Sequence, residues 1–149
     1  MSDGVSRQIR QLVGKRAEFC CEYCLSPVDY SPDPFCIEHI WPRALQGSDD
    51  QANLAYSCLG CNSRKFVATE AVDPMTGEMA TLYHPRHDRW ADHFSWESDR
   101  TLVVGISATG RASVQRLELN RDGIVNLRRV LRACGVDPMI PNRQLHLPI

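Results

Sequence analysis

Two Cys-x-x-Cys pairs, Cys21/Cys24 and Cys58/Cys61, constrain this chain's fold more than any other feature. Each pair can chelate a metal from one tight turn. Four thiolates in two such pairs suit a closed tetrahedral zinc site that ties distant segments together. Cys20 adjoins Cys21 and could shift the first pair by one residue, but Cys20/Cys24 has the less usual gap and the second pair favours Cys21/Cys24 by symmetry. Cys36 and Cys134 read as core thiols. The opening Met-Ser-Asp-Gly-Val-Ser-Arg lacks the charged-then-apolar order of an export signal, which favours reduced thiols used on metal over a disulfide framework. No apolar run approaches the roughly 20 residues of a membrane span. The expectation is a soluble, cytoplasmic protein with no membrane partner.

Charge does not announce a partner. Lys and Arg number 7 against 8 Asp and Glu through Lys65, and 10 against 10 after it, which together give the formal net charge of -1. Four thiolates and one divalent metal would move that total to about -3. A grip on a polyanion must therefore come from local basic clusters and a bound cation. With 149 residues and 43% hydrophobic content, the chain can form a small zinc-stapled module followed by a packed extension.

Ser6 is placed to cap a helix that carries Ile9, Leu12, Val13 and Ala17 on one side, with Arg7, Arg10, Lys15 and Arg16 outward. A Pro- and Ser-rich loop at 25–34 follows the first cysteine pair. Phe35 to Trp41 reads as a strand stopped by Pro42, residues 46–51 as a polar loop, and Asn53 to Ser57 as the returning strand. A helix is expected from Asn62 to about Thr69, ended by Asp73-Pro74. The turn signal Asp73-Pro-Met-Thr-Gly77 marks the boundary between a core at 1–72 and an extension at 73–149. In the extension, strands are expected at 79–83, 93–97 and 101–106. Helices are expected at about 110–119 and 122–134, followed by an extended tail.

Between the cysteine pairs lies Glu38-His39, with Asn53 and Asn62 downstream, an arrangement that suits a metal-dependent phosphodiesterase. The segments Glu38-His39-Ile40-x-Pro42, Asn53-Leu54 and Cys58-x-x-Cys61-Asn62-x-x-Lys65 resemble the HNH endonuclease motif in its zinc-stapled form, over about Ala17 to Phe66. The steps of 14 residues from His39 to Asn53 and 9 from there to Asn62 agree with it. Asp73-Pro-x-Thr-Gly77, Tyr83-His-Pro-Arg86, Trp90 to Trp96 and Gly110-Arg-Ala-Ser resemble an extension found on some bacterial HNH proteins.

The resemblance implies an α+β fold: a ββα-metal (HNH, His-Me finger) core with the four-cysteine zinc knuckle and a mixed α/β C-terminal extension. It implies hydrolysis of DNA phosphodiester bonds. His39 becomes the general base, a role suited to imidazole because its unperturbed pKa lies near operating pH. Glu38 and the Asn62 oxygen become ligands of Mg2+ or Mn2+, and Asn53 ties loop backbone so that His39 faces the phosphate. Arg64 and Lys65 are the nearest candidates for phosphate contacts. Strand alternation qualifies this set, since Glu38 and His39 reach one site only if the strand end is bent. Many family members have Asp where this chain has Glu38.

A zinc-dependent nucleic-acid-binding or adaptor module without cleavage is the alternative; the registered Glu38, His39, Asn53 and Asn62 set favours the enzyme. His84, His87 and His93 have no ligand spacing to the cysteines and read as structural or surface groups. A DNA track made of Arg86, Arg89, Arg111, Arg128, Arg129 and Arg132 is no better supported than solvated helix faces.

Overall fold

The structure is a computed structural model that describes residues 4–136. The tail expected beyond Pro138, with His146, lies outside the described residues. Helix α1 spans Arg7–Arg16, and the Ser6 hydroxyl caps it by accepting from Ile9 N at 3.3 Å. Its basic residues do not all face water. Arg10 donates to Phe35 O, and Arg16 donates to Gln51 O at 3.0 Å and Leu54 O at 2.7 Å, so the helix grips the hairpin it packs against.

That hairpin pairs β1 (Cys36–His39) antiparallel with β2 (Leu54–Ser57), Glu38 opposite Ala55 and His39 opposite Leu54. All four β2 residues are buried, because α1 covers the hairpin and α2 (Leu59–Lys65) follows β2 directly and packs on β1. Helix α2 begins three residues earlier than the expected 62–69. The cause is Cys58, whose Sγ accepts from Cys61 N at 3.4 Å and so caps a helix holding the second cysteine pair in its first turn. It ends at Phe66, whose φ of 50° leaves the helical region. This order, helix, knuckle, strand, strand, helix, is the ββα frame.

The expected boundary turn is the bend of a second hairpin, β3 (Glu70–Val72) with β4 (Met79–Thr81). Asp73 organises the bend. Its carboxylate accepts from Met75 N and Thr76 Oγ1 and takes a two-pronged Arg111 contact at 2.8 Å and 2.8 Å, while Gly77 supplies the required positive φ of 74°. The Asp-Pro-x-Thr-Gly and Gly-Arg segments are thus two halves of one joint. Helix α3 (Trp90–His93) leads into a third hairpin, β5 (Phe94–Trp96) with β6 (Val103–Gly105), and α4 (Ala108–Leu117) packs on β6, β4 and α2. Gly110 permits that packing, since a Cβ there would lie 1.9 Å from His93 O.

Helix α5 (Asp122–Ala133) closes the described part. Arg128 is buried beneath it, donating to Leu119 O at 2.8 Å and Thr101 O at 2.9 Å with its guanidinium 5.2 Å from the Trp96 ring. Tyr83, Trp90 and Phe94 stack edge-on or tilted inside the same core. The arginines considered for a DNA track therefore divide. Arg86, Arg111 and Arg128 are engaged inside the fold, and Trp90 and Phe94 are core residues.

Candidate metal centre and hydrolytic face

The first cysteine pair sits in a turn whose backbone is pinned by Cys21 N on Ser26 O and Leu25 N on Cys21 O, and whose Glu22 N bonds Tyr56 O of β2. The second pair is carried by the start of α2. Together they bring the sulfur atoms of Cys21, Cys24, Cys58 and Cys61 within 4.8 Å of one another, all buried. Cys24 Sγ and Cys58 Sγ are 3.7 Å apart. A tetrahedron with zinc–sulfur bonds of ~2.3 Å has edges of about 3.8 Å, so the donor set fits zinc in both chemistry and spacing. Cys20 is buried beside the site with its sulfur on Glu18 O; Cys36 is half-buried, and Cys134, expected as a core thiol, is exposed at the end of the last helix.

Arg121, at the start of α5, completes the surroundings of the thiols. Its guanidinium reaches Cys58 Sγ at 3.5 Å and Cys61 Sγ at 3.6 Å. A Cβ on Gly60 would lie 2.7 Å from it, so the glycine between the two cysteines makes room for the cation. Burial works against the charge on Arg121, yet the neighbouring thiolates hold its pKa above the ordinary value. Arg128 adds a donor at 3.4 Å to Cys24 O. Glu22, wholly buried, accepts from Tyr56 N at 2.8 Å and is paired with Arg86. Three arginines of the extension therefore close over the knuckle. Nothing in the local sequence signals this, because Arg121 is 60 residues from Cys61.

At the other end of the frame, His39 and Glu38 separate as strand alternation requires. Glu38 is 3% exposed; its Oε1 lies 2.6 Å from Lys65 Nζ and its Oε2 accepts from Tyr23 OH at 2.5 Å. Burial pushes its pKa up, and Lys65 and Tyr23 pull it back. Lys65 is 1% exposed and also donates to Ile40 O at 2.8 Å. Expected as a phosphate contact, Lys65 is instead held inside by this ion pair. Glu38, expected to hold a divalent ion with Asn62, is closed by the same pair and as held does not offer an open donor. The Asn62 side chain has no hydrogen-bond partner among the described residues. Arg64 remains at the surface, donating to Glu118 at 2.8 Å and Gly60 O at 3.2 Å.

His39 faces the polar loop. Its Nε2 is 2.8 Å from Asp49 Oδ1, which also accepts from Arg43 Nε at 3.1 Å. A carboxylate only accepts, so Nε2 carries the hydrogen and Nδ1 the lone pair. His39 and Arg43 hold the Asp49 carboxyl below its usual range. Asn53 staples the loop. Its Oδ1 accepts from Trp41 N at 2.8 Å, and its Nδ2 donates to Trp41 O at 3.0 Å and Ser48 O at 2.8 Å. Asp49 and Tyr23 were not read as site residues. For Asp49 the signal available was an acid in the polar loop ten residues after His39.

The family model for HNH endonuclease matches residues 21–66, from the first paired cysteine to the end of α2. No curated protein and no solved structure matches the chain. No helix of the described residues is long and apolar enough to cross a membrane.

Proposed function

We propose that this chain, whose residues 21–66 carry the HNH endonuclease domain, hydrolyses DNA phosphodiester bonds with His39 as general base. The observation that carries the reading is the His39 ring held through Nε2 by Asp49 while Asn53 staples the loop beside it. That arrangement leaves Nδ1 as the proton acceptor for an attacking water. Asp49 both orients the ring and favours the imidazolium formed once the proton is taken, since it supplies a fixed negative charge at hydrogen-bond distance. Arg43 restrains Asp49 in turn, and Arg64, by exchanging Glu118 for a phosphate oxygen, would grip the backbone.

By the resemblance, Glu38 and Asn62 would hold Mg2+ or Mn2+, which would supply stabilisation of negative charge on a phosphate; Glu38 would have to leave Lys65 and turn from the face opposite His39 to do so. The four-cysteine zinc has a structural role, since the knuckle orders α2 relative to β1.

Conversion of supercoiled plasmid to nicked or linear DNA tests it, using zinc-loaded wild type and His39→Ala with and without Mg2+ or Mn2+. Divalent-dependent cleavage lost in the variant supports the assignment. Cleavage undiminished by His39→Ala rules out this mechanism. The closed Glu38–Lys65 pair favours one second reading, a nucleic-acid-binding module that does not cut. It predicts DNA binding by both proteins without divalent ion, and no nicking by either.

A further inference from the structure

A cleft of about 240 Å3 opens where the extension meets the HNH segment. Ile40, Trp41 and Lys65 line it from one side, and Leu82, Tyr83, His84, His87 and Asp88 are among the residues lining the other. Ile40 lies on the same side of the strand as Glu38, and Lys65 is the partner of Glu38, so the cleft adjoins the Glu38 side of β1, while Trp41 is tied by its backbone to Asn53 in the loop that His39 faces. We infer that it takes one unstacked nucleobase of the DNA substrate. The inference rests on the nuclease reading for the substrate's identity and not for the shape of the cleft.

Flat surfaces are the first support. The His84 and His87 rings stack at 3.8 Å between centroids with an angle of 3° between planes, and His87 is exposed. Trp41 is 49% exposed, yet its indole is held by Nε1 donating to Leu45 O at 3.1 Å and its backbone by Asn53. Held rings lose little freedom when a base stacks on them, and base stacking tolerates any sequence.

Charge is the second. Without a divalent ion, the Lys65 ammonium is matched by Glu38, and Asp88 brings a negative charge whose Oδ2 already accepts from His84 N at 2.9 Å. His84 Nδ1 accepts from Arg86 N and His87 N, both at 3.2 Å, which fixes the neutral tautomer with hydrogen on Nε2. Burial, with His87 beside it, pushes its pKa down to about 4, so the ring is uncharged near neutral pH. A cleft with no surplus positive charge does not attract a phosphate, whereas a neutral ring with donor and acceptor edges finds both in His84 and Asp88. The volume is below the ~300 Å3 where pockets for drug-sized ligands begin, which suits a single base.

The test is binding of a thymidine oligodeoxynucleotide carrying central 2-aminopurines by zinc-loaded protein without Mg2+ or Mn2+. Wild type should quench the 2-aminopurine emission and bind at least about tenfold tighter than it binds the oligonucleotide with abasic sugars at those positions. His87→Ala and Trp41→Ala should each lose the quench and most of that preference. His84→Ala should do the same; if it fails to fold, His87→Ala, at an exposed position, carries the test. Equal affinity for base-bearing and abasic strands, or full quenching by His87→Ala, overturns the inference. Because no divalent ion is present, these readings are independent of plasmid nicking, so a nuclease without a base pocket and a base pocket on a silent domain give different results.

Discussion

The two ends of α2 serve opposite purposes on one short helix. At its start, Cys58 and Cys61 join the first pair in a buried cluster that Arg121 and Arg128 cover from outside. Near its end, Lys65 is drawn inward to Glu38 while His39, on the far face of β1, meets an exposed Asp49. The thiols are buried, and their spacing fits a metal as it stands. The histidine end has an imidazole fixed by Asp49, and its neighbouring carboxylate, Glu38, is closed by Lys65. The thiol cluster thus sits at one end of a seven-residue helix and the buried Glu38–Lys65 pair at the other.

Breaking the closed end should have the largest effect. Cys58→Ser, or zinc removal by a chelator, should unfold the ββα frame, because structural zinc contributes folding energy directly; loss of far-UV dichroism together with zinc release checks this. At the reactive end, His39→Ala should lower cleavage by about 10^2–10^4-fold with zinc content and melting temperature unchanged. If the variant also loses zinc, the two ends are not separable.

Arg121→Gln tests whether the cover belongs to the metal site. It should weaken zinc binding by about 10–100-fold in competition with a chromogenic chelator, the usual cost of removing an outer partner of a ligand. Asn53→Ala removes three hydrogen bonds from the loop after β1. A loss of about 1–3 kcal/mol in denaturant unfolding is expected, with cleavage falling more than the stability alone explains.

The smallest effect concerns pH. The His84 pKa is lowered to about 4, so from about 6.5 down to about 4 the unfolded chain binds a proton that the folded chain does not. Stability should therefore fall as pH falls through that window. His84→Gln should fall less steeply than wild type when both are followed by thermal melting with zinc retained.

Comparing the two ends also explains what could be read from the chain. The thiol cluster needed only residue type and spacing, since two chelating pairs have few ways to close on one ion. The ββα order followed from alternation and from Pro42, although the start of α2 did not, because a cysteine acting as its cap is a poor local signal. At the other end, Glu38 and Lys65 were both visible as charged residues, but their mutual burial depends on the packing of α2 and Tyr23 against β1, which local pattern does not encode. Asp73 and Arg111 were legible only as a turn and a basic residue; 38 positions separate them, and their joint exists only in three dimensions.

The cover over the knuckle has a consequence for synthesis. Cys61 precedes Arg121 by 60 residues, which at typical rates of translation is a delay of roughly 3–12 s. During that interval all four thiols have been made and the guanidinium that seals them has not. The order of the chain thus completes the ligand set well before the residue that covers it.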